Sequence, residues 1–259
     1  MEIKLIKKIN KMNDINIEIK KKTFPLKIQN GQKENLIFKG LNIKIRKGQF
    51  LSIFGPSGCG KTTLLNIISG LDKDFIGSVQ TFNGRVNANK NISYMFQAPR
   101  LFPWLTAIEN IKFPIKKEKN CKKIAFELIK KVGLEKYKNQ YPNRLSGGMQ
   151  RRIALARAFA LNPDILLLDE PFISIDKKIS NLLRKLLIKL WKKNKPIIIF
   201  VTHDLDEAIE LADRICFLSN LPAKILLDYE INLNRPRNQN SKKFISLKRL
   251  LSSAAIQKK

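Results

Sequence analysis

A glycine-rich loop followed by lysine and threonine is the segment of the chain that most directly indicates chemistry. Residues 55–62 read Gly-Pro-Ser-Gly-Cys-Gly-Lys-Thr, which fits the pattern G-x-x-x-x-G-K-[S/T] between an apolar strand pattern and a helical run. The glycines let successive backbone amides face phosphate oxygens, Lys61 reaches the β- and γ-phosphates, and the Thr62 hydroxyl can ligate magnesium. The sequence therefore predicts a site for a nucleoside triphosphate and Mg²⁺. The residues expected to form it are Gly55, Pro56, Ser57, Gly58, Cys59, Gly60, Lys61, Thr62 and Thr63.

A second glycine pair predicts another anion site in the same chain. Residues 145–150 read Leu-Ser-Gly-Gly-Met-Gln. Ser146 is a good N-cap residue, and Gly147 and Gly148 leave backbone amides bare at the start of an Ala-rich helical run from Met149 to Ala160. Taken alone, the segment is equally well interpreted as an ordinary helix start.

Two further apolar strand patterns end in side chains that can act on phosphate. The first, Ile165–Leu168, is followed by Asp169-Glu170, and the second, Ile197–Val201, by the only histidine of the chain, His203. Ligands of α/β sheets bind at the carboxyl ends of the strands, so these side chains are expected beside the phosphate loop. An acidic pair after a strand is often a helix cap, and a lone histidine is often structural, but the phosphate loop favours catalytic roles for both.

Together the motifs resemble those of ABC-type ATPases, in the order of that family, from about Ile15 to Leu251. The resemblance implies that Asp169 holds Mg²⁺ through water and that Glu170 orients or deprotonates the attacking water. It implies that His203 contacts the γ-phosphate and that Gln97, after the strand pattern Ile92–Phe96, senses both Mg²⁺ and the attacking water.

The same resemblance implies an active site shared between two subunits. Ser146, Gly147 and Gly148 would close over the nucleotide held by the other copy, and Asp176 would contact the partner across the dimer. Phe24 is the candidate for stacking on adenine, with ordinary core packing as its alternative.

Three segments are similar to the nitrate, sulfonate and taurine branch of ABC importers: residues 95–110, residues 218–222 and residues 234–237. Within the first, residues 101–104 form the apolar cluster Leu-Phe-Pro-Trp, which in the family docks a helix of a membrane permease. The chain departs from the usual family pattern at 151–152, an arginine pair, and at 173–175, Ile-Ser-Ile. Neither departure removes an expected phosphate or metal ligand.

Composition limits the other function classes. The chain has 259 residues and a formal net charge of +29, which a nucleic-acid-binding protein would also show. Lysine, isoleucine and asparagine are abundant everywhere, as drift toward A/T-rich codons would produce, so nucleic-acid binding is disfavoured; a basic surface also suits attachment to an anionic membrane leaflet. Three distant cysteines and one histidine offer no zinc-site spacing and indicate a reducing compartment. We find neither a signal peptide nor an apolar run long enough for a membrane span.

The elements that must position these residues predict an α/β fold. We expect a P-loop (RecA-like) core with a parallel sheet, an antiparallel β lead-in sheet that includes Phe50–Phe54, and an inserted α-helical subdomain at about 98–163. Residues 27–35 are expected to be a hairpin loop, and Thr106 with Glu109 predicts a capping box. The predicted division is a basic lead-in at 1–14, an ABC ATPase domain at 15–251 and a C-terminal tail at 252–259.

The sequence thus predicts an ATP-hydrolysing subunit of an ABC importer for a small anionic or polar solute. The expected partners are a second copy of the chain, multi-span permease subunits and a periplasmic or surface solute-binding protein, and the expected place is the cytoplasmic face of the membrane, as a peripheral protein. Sulfonate, nitrate, taurine and pyrimidine-type precursors remain open as solutes. The alternatives are a soluble ABC ATPase acting on nucleic acid and the ATPase of a lipid or lipoprotein export system.

Overall fold

The chain folds into two β-sheets with flanking helices, which confirms the α/β class. The computed structural model describes residues 14–28, 31–81, 84–85, 91–173 and 175–257; the basic stretch 1–13 lies outside the described residues. The strands are β1 Ile15–Ile28, β2 Gly31–Ile45, β3 Phe50–Phe54, β4 Ile76–Thr81, β5 Gly84–Arg85, β6 Ile92–Met95, β7 Ile165–Asp169, β8 Ile197–Thr202, β9 Arg214–Leu218 and β10 Ile225–Glu230. The α-helices are α1 Lys61–Ser69, α2 Ala107–Lys112, α3 Cys121–Lys131, α4 Gly147–Ala160, α5 Lys177–Asn194, α6 Leu205–Leu211 and α7 Lys242–Gln257, and short 3₁₀ turns lie at Phe113–Ile115, Glu135–Tyr137 and Pro142–Arg144.

The main sheet has the order β10-β9-β3-β8-β7-β6, parallel throughout except for the antiparallel edge strand β10. Successive side chains of a strand point to opposite faces, and here both faces are buried. In β8, Ile197 and Ile199 pack into the core shared with α1 and the second sheet, while Ile198 and Phe200 pack into the core under α5 and α6. The continuous apolar runs therefore reflect a sheet covered on both sides, and they fix the ends of the strands that carry the functional residues.

Strand β3 corrects the sequence-based expectation that Phe50–Phe54 belongs to an antiparallel lead-in sheet. It is a central strand of the main sheet, parallel to both β8 and β9. Its first four residues are buried, so it lacks the polar face that a half-exposed antiparallel strand would carry. The phosphate loop therefore leaves the middle of the parallel sheet.

The second sheet is antiparallel, in the order β2-β1-β4-β5. The hairpin loop expected at 27–35 is wrong, because β1 runs to Ile28 and β2 starts at Gly31, with Lys27 paired to Gln32. Antiparallel backbone hydrogen bonds do not require apolar side chains, so a polar segment continues the ladder. The hydropathy pattern alone could not reveal this extension.

A third apolar core lies among the helices between β6 and β7. Helices α2, α3 and α4 form it, and α4 also packs against the main sheet through Ala154 and Leu155. The predicted capping box is confirmed, since Thr106 accepts from the Glu109 amide and Glu109 accepts from the Thr106 amide. The first helix begins at Ala107 and not near residue 98, and the boundaries of the helical subdomain stay a prediction.

Helix α7 runs from Lys242 to Gln257 and so crosses residue 252, where the C-terminal tail is expected to begin. The division between domain and tail stays a prediction. Phe244 and Leu251 of this helix are buried in the core under α5 and α6, which anchors the part of the helix that precedes residue 252. Among the described residues, none of the helices has the length and apolar character needed to cross a membrane.

Candidate functional site

The phosphate loop connects the end of β3 to the start of α1. Gly58 and Gly60 adopt φ of 78° and 95°, in the left-handed region that glycine enters without steric cost. At Gly60 a Cβ atom would also lie 2.7 Å from Ile37 Cγ2, so the loop can close against β2 only without a side chain. The Lys61 ammonium donates to the carbonyl oxygens of Gly55 and Pro56, each at 2.8 Å. The lysine is thus held across the loop, where an incoming phosphate would meet its charge.

Cys59, within this loop, has a structural position. Its side chain is buried, and burial raises the pKa of its thiol. A raised pKa keeps the thiol protonated and unreactive at neutral pH. Cys59 therefore contributes to a phosphate site through the packing of its side chain and through its backbone in the loop.

Asp169, at the end of β7, reaches the helix that follows the phosphate loop. The Thr62 hydroxyl donates to Asp169 Oδ2 at 2.8 Å. Burial raises the pKa of Asp169, and the hydrogen bond from Thr62 opposes that effect. The Asp169 carboxylate is only 2% exposed, and it lies next to the Thr62 hydroxyl. Together these two groups offer hard oxygen donors, which favour binding of a cation.

Glu170 is held between side chains from two other strand ends. The Gln97 side-chain amide donates to Glu170 Oε2 at 3.4 Å, and His203 Nδ1 lies 3.1 Å from Glu170 Oε1. Its backbone has φ of 44°, which is unfavourable for a non-glycine residue and is maintained by a bond from the Glu170 amide to the Val201 carbonyl at 3.0 Å. The carboxylate therefore has a defined position at the carboxyl edge of the sheet.

Part of the phosphate loop surrounds one cavity of about 360 Å³ together with Gln97, Glu170 and His203, whereas Gly55, Pro56, Cys59 and Asp169 are not in its lining. The loop, Gln97, Glu170 and His203 meet there because β3, β7 and β8 are neighbouring parallel strands and β6 lies beside β7. Donors at the loop and an acceptor at Glu170 suit a bound phosphate chain with a water molecule opposite it. The residues that line the cavity are Ser57, Gly58, Gly60, Lys61, Thr62, Thr63, Gln97, Glu170, Ile173 and His203.

Other predicted site residues lie outside this cavity lining. Ser146 caps α4 by accepting from the Met149 amide at 3.3 Å, and a Cβ atom on Gly147 or Gly148 would meet none of the described atoms within 4 Å. Asp176 caps α5 by accepting from the Ile179 amide at 3.0 Å. Among the described hydrogen bonds, none is donated by the amides of Gly147 and Gly148, which are the open amides at the start of α4.

Phe24 is likewise separate from the described cavity lining. Its ring is 39% exposed, and the Lys22 ammonium lies 4.4 Å from the ring centroid. Its role in stacking on adenine stays a prediction.

Two side-chain contacts near the site were not predicted from the sequence. Arg151 Nη1 donates to the Glu170 carbonyl at 3.3 Å, which joins α4 to the strand end that carries the carboxylate. Arg184 and Glu207 form a buried pair behind His203, at 3.5 Å. A signal for the second existed, because Arg184 falls on the apolar stripe of α5 with Leu183 and Leu187, where a charge needs a partner.

Comparison with known proteins gives the family. Residues 38–173 match the family model described as ABC transporter. The aliphatic sulfonates import ATP-binding protein SsuB of Bacillus thuringiensis subsp. konkukian (strain 97-27) is 42% identical over 82% of this chain and 85% of the relative. The protein of the same name from Bacillus subtilis (strain 168) is 40% identical over 92% of this chain and 93% of the relative.

A solved structure of an ATP-binding cassette is also similar to this chain. The dimeric structure of a post-hydrolysis state of the ATP-binding cassette MJ0796 bound to ADP and Pi matches with a TM-score of 0.75 and 34% identity, over 85% of this chain and 100% of that chain. The family model, the relatives and the phosphate-binding edge of the sheet agree, and the chain belongs to the ABC transporter family as an ATP-binding, ATP-hydrolysing subunit.

Proposed function

We propose that this ATPase works as a homodimer on the cytoplasmic face of a membrane and energises import of a small anionic solute through a multi-span permease. The observation that carries the proposal is the fixed Glu170 carboxylate opposite the phosphate loop, between Gln97 and His203. A carboxylate held there can act only on a group that approaches the phosphates. Hydrolysis of the terminal phosphate bond is the reaction that uses this arrangement.

In this proposal Glu170 accepts hydrogen bonds from the attacking water and takes its proton. Lys61 neutralises charge on the β- and γ-phosphates, and His203 and Gln97 contact the reacting end of the nucleotide. The transition state of phosphoryl transfer needs positioning and charge stabilisation more than covalent help. Side chains held at the ends of rigid strands provide both the positioning and the charge stabilisation.

A Mg²⁺ ion fits the donor set, with Thr62 and Asp169 as its direct or water-mediated ligands and Gln97 beside them. Mg²⁺ prefers hard oxygen donors and is commonly bound by one or two side chains together with phosphate oxygens and water. When bound, the ion would neutralise charge on the phosphate oxygens.

The open amides at the start of α4 support the homodimer. Ser146, Gly147 and Gly148 belong to no described wall of the cavity, yet they offer donors at the positive end of a helix. We propose that they bind the nucleotide held by the other copy, with Asp176 at the contact between copies. The solved structure of the cassette MJ0796, a protein of similar fold, is dimeric and bound to ADP and Pi, which supports a dimer here.

The names of the relatives support a sulfonate-type solute and therefore a permease and a solute-binding protein. The ATPase itself does not touch the solute in this scheme, so nitrate, taurine and pyrimidine-type precursors are competitors to be tested. Phe24 would stack on the adenine.

Replacement of Glu170 by Gln tests the catalytic proposal. We expect steady-state hydrolysis of Mg-ATP to fall by about 100-fold or more, because the general base is lost. The dissociation constant of ATP should stay unchanged, because the phosphate loop is intact. In cells, uptake of a radiolabelled aliphatic sulfonate should fall with hydrolysis.

Glu127→Gln, an exposed carboxylate of α3, is the matched control and should keep wild-type rates. Multiple-turnover hydrolysis by the Glu170→Gln variant would contradict the role of Glu170. Normal uptake of the aliphatic sulfonate combined with lost uptake of nitrate would contradict a sulfonate-type solute while leaving the ATPase proposal intact.

A further inference from the structure

The segment that carries His203 is bonded to helix α6 through the side chain that precedes it. The Thr202 hydroxyl oxygen accepts from the Asp204 amide at 3.0 Å and donates to Glu207 Oε2 at 2.8 Å. The Asp204 carboxylate in turn accepts from the Glu207 amide at 3.3 Å. Bonds on both sides of His203 therefore fix its backbone relative to the first turn of α6.

Glu207 is held in place by a buried cation. Arg184 Nη1 lies 3.5 Å from Glu207 Oε1, and the two side chains are 7% and 11% exposed. Arg184 Nη1 also donates to the Ser180 hydroxyl at 3.1 Å, within α5. Since a buried charge is costly without its partner, the pair constrains Glu207 to one position.

Arg184 also contacts the segment that follows Glu170. Its guanidinium carbon lies 5.9 Å from the centroid of the Phe172 ring, and Phe172 is two residues beyond Glu170. One side chain of α5 therefore touches both the helix behind His203 and the loop behind Glu170. His203 and Glu170 are the two groups that meet at 3.1 Å in the cavity.

We propose that Glu207 is a positioning residue for ATP hydrolysis: anchored by Arg184, its carboxylate holds Thr202 and so sets His203 beside Glu170. The inference rests on the roles proposed above for His203 and Glu170. Glu207 is not among the described residues that line the cavity, so in this proposal it acts through Thr202. This role gives a reason for the presence of two charged side chains, Arg184 and Glu207, in the interior behind the site.

The chain provides a matched pair of variants on one helix. Glu210 of α6 also faces Arg184, with Oε2 3.3 Å from Arg184 Nε, but among the described hydrogen bonds none joins Glu210 to Thr202. Glu207→Met and Glu210→Met each remove one carboxylate from Arg184. Only Glu207→Met removes the bond to the segment of His203.

For Glu207→Met, we expect kcat for Mg-ATP to fall about tenfold to 100-fold, the range that a misplacement of about 1 Å can cause. The KM for ATP and the dissociation constant of ATP should change less than about twofold, because the phosphate loop is unaffected. Glu210→Met should keep kcat within about twofold of the wild type. Thr202→Val removes the bond to Glu207 from its other end and should reproduce the fall in kcat. This variant tests the inference independently if Glu207→Met does not fold.

Equal losses of kcat in Glu207→Met and Glu210→Met, or a normal kcat in Thr202→Val, would overturn the inference. A change confined to ATP affinity or to the fraction of folded protein would do the same. The wild-type chain is measured in parallel: hydrolysis by the wild type with unaffected variants refutes only the positioning role, whereas absence of hydrolysis by the wild type refutes the proposed function.

Discussion

At the scale of single residues, the site depends on side chains whose positions are determined by several bonds each. Glu170 has an unfavourable backbone conformation, and its amide, its carbonyl and both carboxylate oxygens are engaged by Val201, Arg151, His203 and Gln97. Such strain persists only where the surroundings fix it, and it concentrates at functional positions. The residue proposed to activate water is thus preorganised before a nucleotide binds.

Glu207 gives a prediction about the pH dependence of stability. Burial raises the pKa of Glu207 to about 7, and the bond from Thr202, the Arg184 guanidinium and His203 oppose the effect while Asp204 adds to it. The unfolded chain releases this proton near the ordinary glutamate pKa of 4.5, so between pH 4.5 and about 7 the folded chain binds one more proton than the unfolded chain. This contribution to stability is present at low pH and is lost as the pH rises through about 7.

We therefore expect the free energy of unfolding of the wild type to fall relative to that of Glu207→Gln as the pH rises from about 5 to about 8, by up to about 3 kcal/mol. Denaturant titrations of both proteins across that range measure the difference. Glu210 also pairs with Arg184, so Glu210→Gln serves as the comparison. A difference between wild type and Glu207→Gln that does not vary with pH would contradict the prediction.

At the scale of elements, sequence and structure agree where a strand or helix is defined by buried side chains. β7 and β8 are continuous apolar runs, and their ends correctly predicted that Asp169, Glu170 and His203 would lie at one edge of the sheet. β3 was assigned to the wrong sheet, because five residues do not reveal which strands pair with them. Pairing depends on contacts distant in sequence.

In the site, too, local patterns could be predicted from the sequence, whereas contacts between distant segments could not. The phosphate loop and Glu170 could be found because their chemistry requires particular residues at close spacing. The contact of Arg151 with the Glu170 carbonyl and the contact of Arg184 with Glu207 join segments separated in the chain, and neither follows a local pattern. A charge on the apolar stripe of α5 was the only local indication of the second contact.

The segment before α2 leads to a prediction about docking. The Trp104 side chain is 70% exposed, and the Phe102 ring contacts those of Trp104 and Phe113 at centroid distances of 5.5 and 4.6 Å. Exposed aromatic clusters mark interaction sites, and a buried tryptophan commonly dominates the energy of a protein interface. We propose that this cluster receives the permease.

Trp104→Ala should weaken permease binding by about 30-fold or more, equivalent to about 2 kcal/mol. ATP hydrolysis by the isolated chain and its unfolding free energy should not change, because the side chain is exposed. Titration of the purified permease in detergent measures the affinity. Leu182→Ala, at an apolar residue of α5 that is 47% exposed, is the control, and equal binding by both variants would exclude the cluster as the docking site.

At the scale of the whole molecule, one subunit contains most of an ATP site, and the remaining donors face elsewhere. α4 links the two halves, since its start carries Ser146 and the two glycines while Arg151 contacts the strand end of Glu170. If a dimer closes as proposed, movement of α4 would therefore reach Glu170 of its own subunit, the carboxylate proposed to activate water. The high positive charge of the chain, +29, suits a protein that works beside an anionic membrane surface.

Ser146 is proposed to complete the nucleotide site of the other copy, and mixed dimers show whether it does. Lys61→Ala removes the phosphate contact of its own subunit, and Ser146→Arg blocks the amides offered to the partner, at a cost of about 1 kcal/mol for the lost helix cap. Each variant alone should be inactive. Mixing the two folded proteins should produce dimers with one intact composite site, and Mg-ATP hydrolysis should rise above the sum of the separate proteins. If mixed dimers form and hydrolysis stays at that sum, Ser146 does not act on the nucleotide of the partner.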